Sequence, residues 1–222
     1  MRDTEGTPRP ERRGPHDPRD PIDPRDTHDP QVRRPGRGQE PIGWTAAERR
    51  LLAVLRGCGD GPRIAAAARA LSHGGEHAAL WLAGGLVCAA ADRERRDGWL
   101  RGTALIAAAH LTSMGVKRVV RRPRPVLPTA EPLVRTAGRH SFPSSHATSA
   151  AAAAVAFGVL RPAGRVLVPP LAAAMCLSRL VAGVHYPTDV AAGALLGGLL
   201  AHGGTVWLRA AGGCRPGGGR RV

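Results

Sequence analysis

Apolar and polar positions divide the chain unevenly. Residues 1–40 are polar throughout, with "DPRD" at 17–20 and again at 23–26, frequent Pro and few apolar side chains. Such a segment buries too little surface to offset its ordering entropy, so it is expected to be a disordered tail. The texture changes at Trp44. "WTAAERRLLAVLRG" (44–57) has helical spacing, with Thr45 as N-cap and Glu48 three residues on, the pattern of a capping box. Its arginines make it amphipathic and predict a helix lying at a membrane surface. Apolar stretches follow at 77–91, 98–116, 144–160, 166–184 and 188–208. A spanning helix needs about 20 apolar residues. Several of these are short or interrupted, the second by Arg101 and His110 and the fourth by Pro169-Pro170. The strongest runs from 189 to 208, and its Gly and Ala at small-xxx-small spacing favour close helix contact in lipid.

The pattern predicts an all-α fold, an integral membrane helical bundle of about five spanning helices with an N-terminal amphipathic helix. It divides the chain into a tail (1–40), a membrane domain (44–210) and a flexible basic C-terminus (211–222). A soluble Ala-rich bundle is the competing arrangement. Residues 98–222 hold only two acidic residues, whereas a soluble bundle carries mixed charge on its outer faces.

Charge sharpens the picture. The net charge is +15, yet residues 1–40 carry nine Arg against nine acidic residues, so the whole excess lies beyond them. An excess of this kind implies an anionic partner. Nucleic acid is disfavoured, because two Phe, one Tyr and four Trp are scattered rather than interleaved with Arg. A membrane surface or a phosphorylated substrate fits better. Cys58, Cys88, Cys176 and Cys214 lie far apart without CxxC pairing and read as small hydrophobes.

Three motifs carry candidate chemistry. In "KRVVRRPRP" (117–125) Lys117 is followed after six residues by Arg124-Pro125. Lys117 is the only lysine in a chain that otherwise uses Arg, which marks a position needing a compact ammonium instead of a planar fork. A polybasic cluster gripping anionic lipid is the plainer alternative. In "HSFPSSHATSA" (140–150) Pro143 is expected as the first helical residue, with Ser144, Ser145 and His146 in the first turn. Free N–H groups and the positive end of the helix dipole make that turn an anion site; an ordinary helix cap has the same sequence. In "SRLVAGVHYPTD" (178–189) Pro187 again predicts a helix start, placing Asp189 in its first turn. A carboxylate four residues after His185 can accept from one ring nitrogen and leave the other as a nucleophile. The alternative is an Asp cap beside an incidental histidine. With alternating helix directions, all three motifs reach the same end of the bundle.

As an ordered trio, Lys117-x6-Arg124-Pro125, Pro143-Ser144-Ser145-His146 and Ser178-Arg179-x5-His185-x3-Asp189 resemble the signature of the type 2 phosphatidic acid phosphatase superfamily, which includes vanadium haloperoxidases. The resemblance covers about residues 45–208. One departure is Ser145, where the family usually has Gly; the backbone N–H survives the change, and the hydroxyl narrows the pocket. The segments at 71–83, 116–125 and 141–149 are similar to a sub-family, the actinobacterial decaprenylphosphoryl-5-phosphoribose phosphatases of arabinan precursor synthesis.

The resemblance implies roles. Lys117, Arg124 and Arg179 clamp the phosphoryl oxygens together with Ser144 and the Ser145 N–H. His185 attacks phosphorus, His146 protonates the leaving alcohol and then activates water, and Asp189 orients His185. No metal or other cofactor is implied, and the partner is a membrane lipid phosphate in the bilayer. Within the same chemistry, an undecaprenyl diphosphate, phosphatidate or phosphatidylglycerophosphate phosphatase is the alternative; from another class it is a non-catalytic polybasic membrane adaptor. Arg residues crowding the motif end favour the cytoplasmic face, while several of those cations are catalytic in the implied mechanism and the other end keeps Arg93, Arg95, Arg96, Arg161 and a basic C-terminus. Of the remaining polar residues, His110 reads as a satisfied intramembrane histidine, Glu76 and His77 as a cap or interfacial pair, and His140 as loop. His73 and His202 carry no signal.

Overall fold

A computed structural model describes residues 46–127, 130–136 and 138–210. The tail at 1–40, the cap residue Thr45, Cys214 and the segment 211–222 lie outside them. The described chain forms eight α-helices: α1 (Ala46–Gly57), α2 (Pro62–Gly74), α3 (Ala79–Ala91), α4 (Arg96–Val120), α5 (Ser145–Leu160), α6 (Pro162–Val181), α7 (Pro187–Gly203) and α8 (Thr205–Ala210). The five apolar stretches become α3 to α7. The pattern gave no sign of α2, which starts with Pro62 in its first turn and is built largely of Ala and Arg.

Helix α5 lies at the centre, against α4, α6 and α7. Ala150, Ala152, Ala153 and Ala156 are fully buried there, and their short side chains let neighbouring helices approach closely. The approach is tightest along α7. A Cβ at Gly193 would collide with the Ser144 carbonyl, and one at Gly197 with the Thr148 carbonyl. These two glycines, one turn apart, form the small-xxx-small seam expected from the sequence.

Two boundaries differ from the sequence pattern. Pro169-Pro170 does not interrupt the fourth stretch, because α6 runs unbroken through both residues. A proline forfeits its own bond to the preceding turn, and the ladder can resume beyond it. Among the described helices, α6 is long and apolar enough to cross a membrane by itself; its most apolar window has a mean hydropathy of 1.3 and is only 28% buried. Conversely, the fifth stretch breaks at Gly203-Gly204, where the Gly204 N–H caps α7 on the Leu200 carbonyl at 3.1 Å. A Cβ at Gly204 would come within 2.6 Å of Leu105, so the break seats this corner on α4.

The helices alternate in direction. At one end, Asp92 after α3 accepts from Trp99 Nε1 at 3.0 Å and pairs with Arg161 between α5 and α6 at 2.7 Å. At the other end lie the last turn of α4, the first turns of α5 and α7 and the last turn of α6, which carry the three motifs. Along the helices, Val87, Leu111, Leu167, Leu195 and Leu199 are each more than half exposed. Helix α1 lies over the motif end with Glu48, Leu52 and Arg56 turned inward, while Leu51 and Val54 face out. Its charged residues are therefore not all solvated: Glu48 accepts from the Thr188 N–H at 3.0 Å, and Arg56 donates to the Glu131 carbonyl at 2.9 Å and 3.0 Å.

Candidate active site

The first two motifs are laced together by backbone. After α4 the chain turns through Arg121, whose φ of 52° lies in the left-handed region. It then runs beside residues 140–141. Pro123 and His140 form an antiparallel bridge, and the Ser141 N–H donates to the Arg122 carbonyl at 2.8 Å. His140 is thereby a loop residue, as expected. Ser141 also accepts Lys117 Nζ on its carbonyl at 3.2 Å, which fixes the ammonium at the end of α4. The third motif joins through the Ser144 N–H, which donates to the Asp189 carbonyl at 2.9 Å and holds the starts of α5 and α7 together.

Arg124 spans the same junction. Its Nε donates to the Gly138 carbonyl at 2.7 Å and its Nη1 to the Val184 carbonyl at 2.9 Å. The same Nη1 lies 3.4 Å from His185 Nε2. His185 follows Gly183, whose φ of 71° makes the turn between α6 and α7 and favours glycine. The imidazole is 1% exposed. Burial first, then Lys117, Arg124, Arg179 and His146, hold its pKa well below the ordinary imidazole value. The ring is therefore neutral, with Nε2 facing the cations.

Lys117 and Arg179 are 9% and 3% exposed, and Arg124 is half-buried. None of the three has a carboxylate within ion-pair distance among the described residues, and Arg179 Nε has no hydrogen-bond partner. Cations withdrawn from water without a carboxylate in contact favour a bound anion. All three line one pocket of about 140 Å³ together with Ser145, His146 and His185. No group of three His, Cys, Asp or Glu residues among the described residues is placed to hold a metal ion.

Asp189 lies beneath this pocket, fully buried. As the sequence predicts, Pro187 begins α7 and Asp189 sits in its first turn. Its Oδ2 accepts the Tyr186 N–H at 2.9 Å and lies 3.5 Å from His185 Nδ1, which itself has no hydrogen-bond partner. The carboxylate thus lies beside a neutral ring, with the Asp–His hydrogen bond not closed. Its Oδ1 accepts Arg122 Nη1 at 2.6 Å.

The start of α5 departs from expectation. Pro143 is not the first helical residue: it precedes the N-cap and follows a cis peptide bond with Phe142. Ser144 is the N-cap. It is fully buried, its hydroxyl accepts the Ala147 N–H at 3.5 Å, and it lies outside the pocket lining. Ser145 opens the helix and reaches the pocket. His146 directs Nε2 to the Ser72 carbonyl at 3.0 Å, a contact supplied by α2.

Several pocket residues went unrecognised. His110 faces the pocket with a buried, unpartnered Nδ1 instead of being satisfied within the bundle. Its signal was present, since His110, Met114 and Lys117 fall at i, i+4 and i+7 on one face of α4. Glu76, His77 and His73 also line the pocket. Arg122 lies within the first motif, where its spacing does not single it out. It pairs with both Asp189 and Glu48, the latter at 3.3 Å, and stacks its guanidinium 4.7 Å over the Tyr186 ring.

Comparison with known proteins follows this geometry. The sequence profile of the PAP2 superfamily matches residues 98–212. The decaprenylphosphoryl-5-phosphoribose phosphatase of Mycolicibacterium smegmatis (strain ATCC 700084 / mc(2)155) is 48% identical over 145 residues, which is 64% of this chain and 78% of that protein. Its namesake from Mycobacterium tuberculosis (strain ATCC 25618 / H37Rv) is 46% identical over 149 residues, covering 66% and 82%. Among solved structures, a transmembrane PAP2 type phosphatidylglycerolphosphate phosphatase from Bacillus subtilis shares the fold, with a TM-score of 0.62 at 23% identity over 76% of this chain and 88% of that one.

Proposed function

The chain belongs to the PAP2 superfamily, and from that membership we propose that it is a metal-independent lipid phosphate phosphatase whose substrate is decaprenylphosphoryl-5-phosphoribose. The observation that carries the reading is the trio Lys117, Arg124 and Arg179, set without carboxylates in contact in one pocket with a neutral His185 whose Nε2 lies 3.4 Å from Arg124. A polybasic adaptor has no use for a buried, neutral imidazole at the centre of its cations. The named relatives support the substrate.

In this reading the phosphoryl oxygens sit among the three cations and the Ser145 N–H, where charge spreading in the transition state is stabilised. Nε2 of His185 forms the bond to phosphorus as the ester P–O bond breaks, and the leaving oxygen takes a proton from His146. Water, deprotonated by the same His146, then attacks the phosphohistidine and releases phosphate. The edge of His146 carrying Cδ2 and Nε2 lies against Gly75 and the Ser72 carbonyl, which leaves Nδ1 for proton transfer. Asp189 stabilises the positive charge that His185 gains. Ser144 acts through the helix start it caps.

The outward apolar belt and the mostly unburied α6 support a bilayer setting for α3 to α7. A helix of 17 residues such as α7 spans about 26 Å at 1.5 Å per residue, close to a bilayer core. In this setting the headgroup meets the pocket cations while the polyprenyl chain stays in lipid. Arg crowding at the motif end supports a cytoplasmic face for that end.

The test is phosphate release from decaprenylphosphoryl-5-phosphoribose in detergent with EDTA. Release that survives EDTA and stops in His185→Ala supports the reading. An active preparation that hydrolyses only other lipid phosphates would refute the substrate, and release unaffected by His185→Ala would refute the mechanism.

A further inference from the structure

The pocket lining is chemically of two kinds. One is cationic, formed by Lys117, Arg124 and Arg179. The other is the end of α2 and the turn after it, where Glu76 and His77 line the cavity. A carboxylate in a pocket built for an anion cannot face the phosphoryl group without repulsion. Among the described residues Glu76 makes no side-chain hydrogen bond and no ion pair within contact distance; Arg179 feels its charge only at longer range. Glu76 is therefore an open acceptor at a pocket that otherwise presents donors.

Direction in the reaction decides what it accepts from. His146, the proton donor to the leaving oxygen, is held on the Ser72 carbonyl at 3.0 Å, within the same segment. In an in-line displacement the alcohol departs on the side opposite His185, so it lies along Ser72–His77. The turn that presents this wall is held in an unusual conformation: His77 (φ 51°) and Ala78 (φ 60°) are consecutive non-glycine residues in the left-handed region. Strain of this kind is concentrated at functional sites. The wall also lies outside residues 98–212, which match the superfamily profile.

We infer that Glu76 and His77 form a subsite for hydroxyl groups of the leaving alcohol, so that the protein selects phosphomonoesters of polyhydroxylated alcohols over those of plain prenyl or alkyl alcohols. A carboxylate accepts from two neighbouring hydroxyls, and an imidazole both donates and accepts. The inference rests on the reading of the site given under Proposed function and adds the residues that set its preference.

The experiment compares kcat/KM for decaprenylphosphoryl-5-phosphoribose and decaprenyl phosphate, which carry the same chain and differ in the alcohol that leaves. Wild type is expected to prefer the sugar ester. Glu76→Gln is expected to cut the ratio of the two values about tenfold or more, the usual loss for a hydrogen bond to a charged group. Glu76→Asp keeps the charge and shortens the arm, and the ratio is expected to fall there too. A ratio kept in Glu76→Asp, or an equal fall on both esters in either variant, would overturn the inference and leave Glu76 as a partial counter-charge to Arg179. Wild type that hydrolyses both esters equally would overturn the subsite alone. Wild type that releases phosphate from neither would sink the substrate reading and the subsite together.

Discussion

Arg122 Nη1 holds Asp189 Oδ1 at 2.6 Å, and with the Tyr186 N–H on Oδ2 it fixes the carboxylate 3.5 Å from His185 Nδ1. The arginine is in turn held by Glu48 from α1, 3.3 Å away. The orientation of His185 therefore depends on a chain of charge running from an N-terminal helix through Arg122 to a fully buried aspartate. Removing the middle of such a chain leaves a buried charge without its partner.

Arg122→Gln is accordingly expected to lower kcat at least tenfold and to destabilise the protein by about 3 kcal/mol. Arg122→Lys restores part of the stability and little of the rate, because an ammonium cannot serve Asp189 and Glu48 in one plane. A double-mutant cycle with Asp189→Asn, read by kcat and thermal unfolding in detergent, is expected to be strongly less than additive.

Gly75 lies against the His146 ring and Met175; a Cβ there would overlap His146 Cδ2 and come within 2.8 Å of Met175 Sδ. Its φ of −85° suits any residue, so the requirement is for space. Gly75→Ala is expected to displace His146 and lower kcat at least tenfold. At the neighbouring Gly74 the nearest atom to a Cβ is 4.0 Å away, and Gly74→Ala is expected to keep near wild-type kcat. Equal kcat for the two variants would contradict this placement of His146.

The pH dependence follows from the environment of His185. Its neutral form is the nucleophile, and burial and the surrounding cations depress its pKa. The acidic limb of kcat/KM, which reports the free enzyme, is expected below the ordinary imidazole value of about 6.5. Lys117 is the largest of the cationic contributions. Removing it makes the imidazolium easier to form, so Lys117→Met should move the acidic limb to higher pH as well as lower the rate. A limb that stays in place or moves down would contradict the electrostatic account.

The α5–α7 seam gives a test of the fold. Gly197 abuts the Thr148 carbonyl, whereas a Cβ at its neighbour Gly198 meets nothing within 4 Å. Gly197→Leu is expected to force the helices apart at a cost of about 1–3 kcal/mol and to disturb the Ser144–Asp189 junction. Gly198→Leu should unfold at close to the wild-type temperature.

What could be read from the sequence had local causes. The apolar runs became α3 to α7, and Pro187 with Asp189 began a helix as its residue types dictate. The three motifs meet in one pocket because each lies at the same end of alternating helices. Pro143 was misread because a proline before an N-cap has the same sequence signature as one in the first turn. Arg122 and Glu48 were missed for another reason: their partners lie far away in sequence, and no periodicity encodes the descent of α1 onto the start of α7. Glu76 belongs to the same class, since its meaning depends on α2 ending beside His146. His110 was legible in part: its spacing to Lys117 allows both to face the site, yet a histidine inside an apolar stretch reads equally as one satisfied within the bundle.

The account turns on His185 as the nucleophile. The most direct measurement supplies substrate labelled with ³²P at the terminal phosphate, quenches turnover in alkaline denaturant and maps the label by proteolysis. The account predicts a phosphoprotein stable to base and labile to acid, with the label on the peptide carrying His185 and absent from His185→Ala. Steady turnover with no trapped phosphate, or label on another residue, would contradict it.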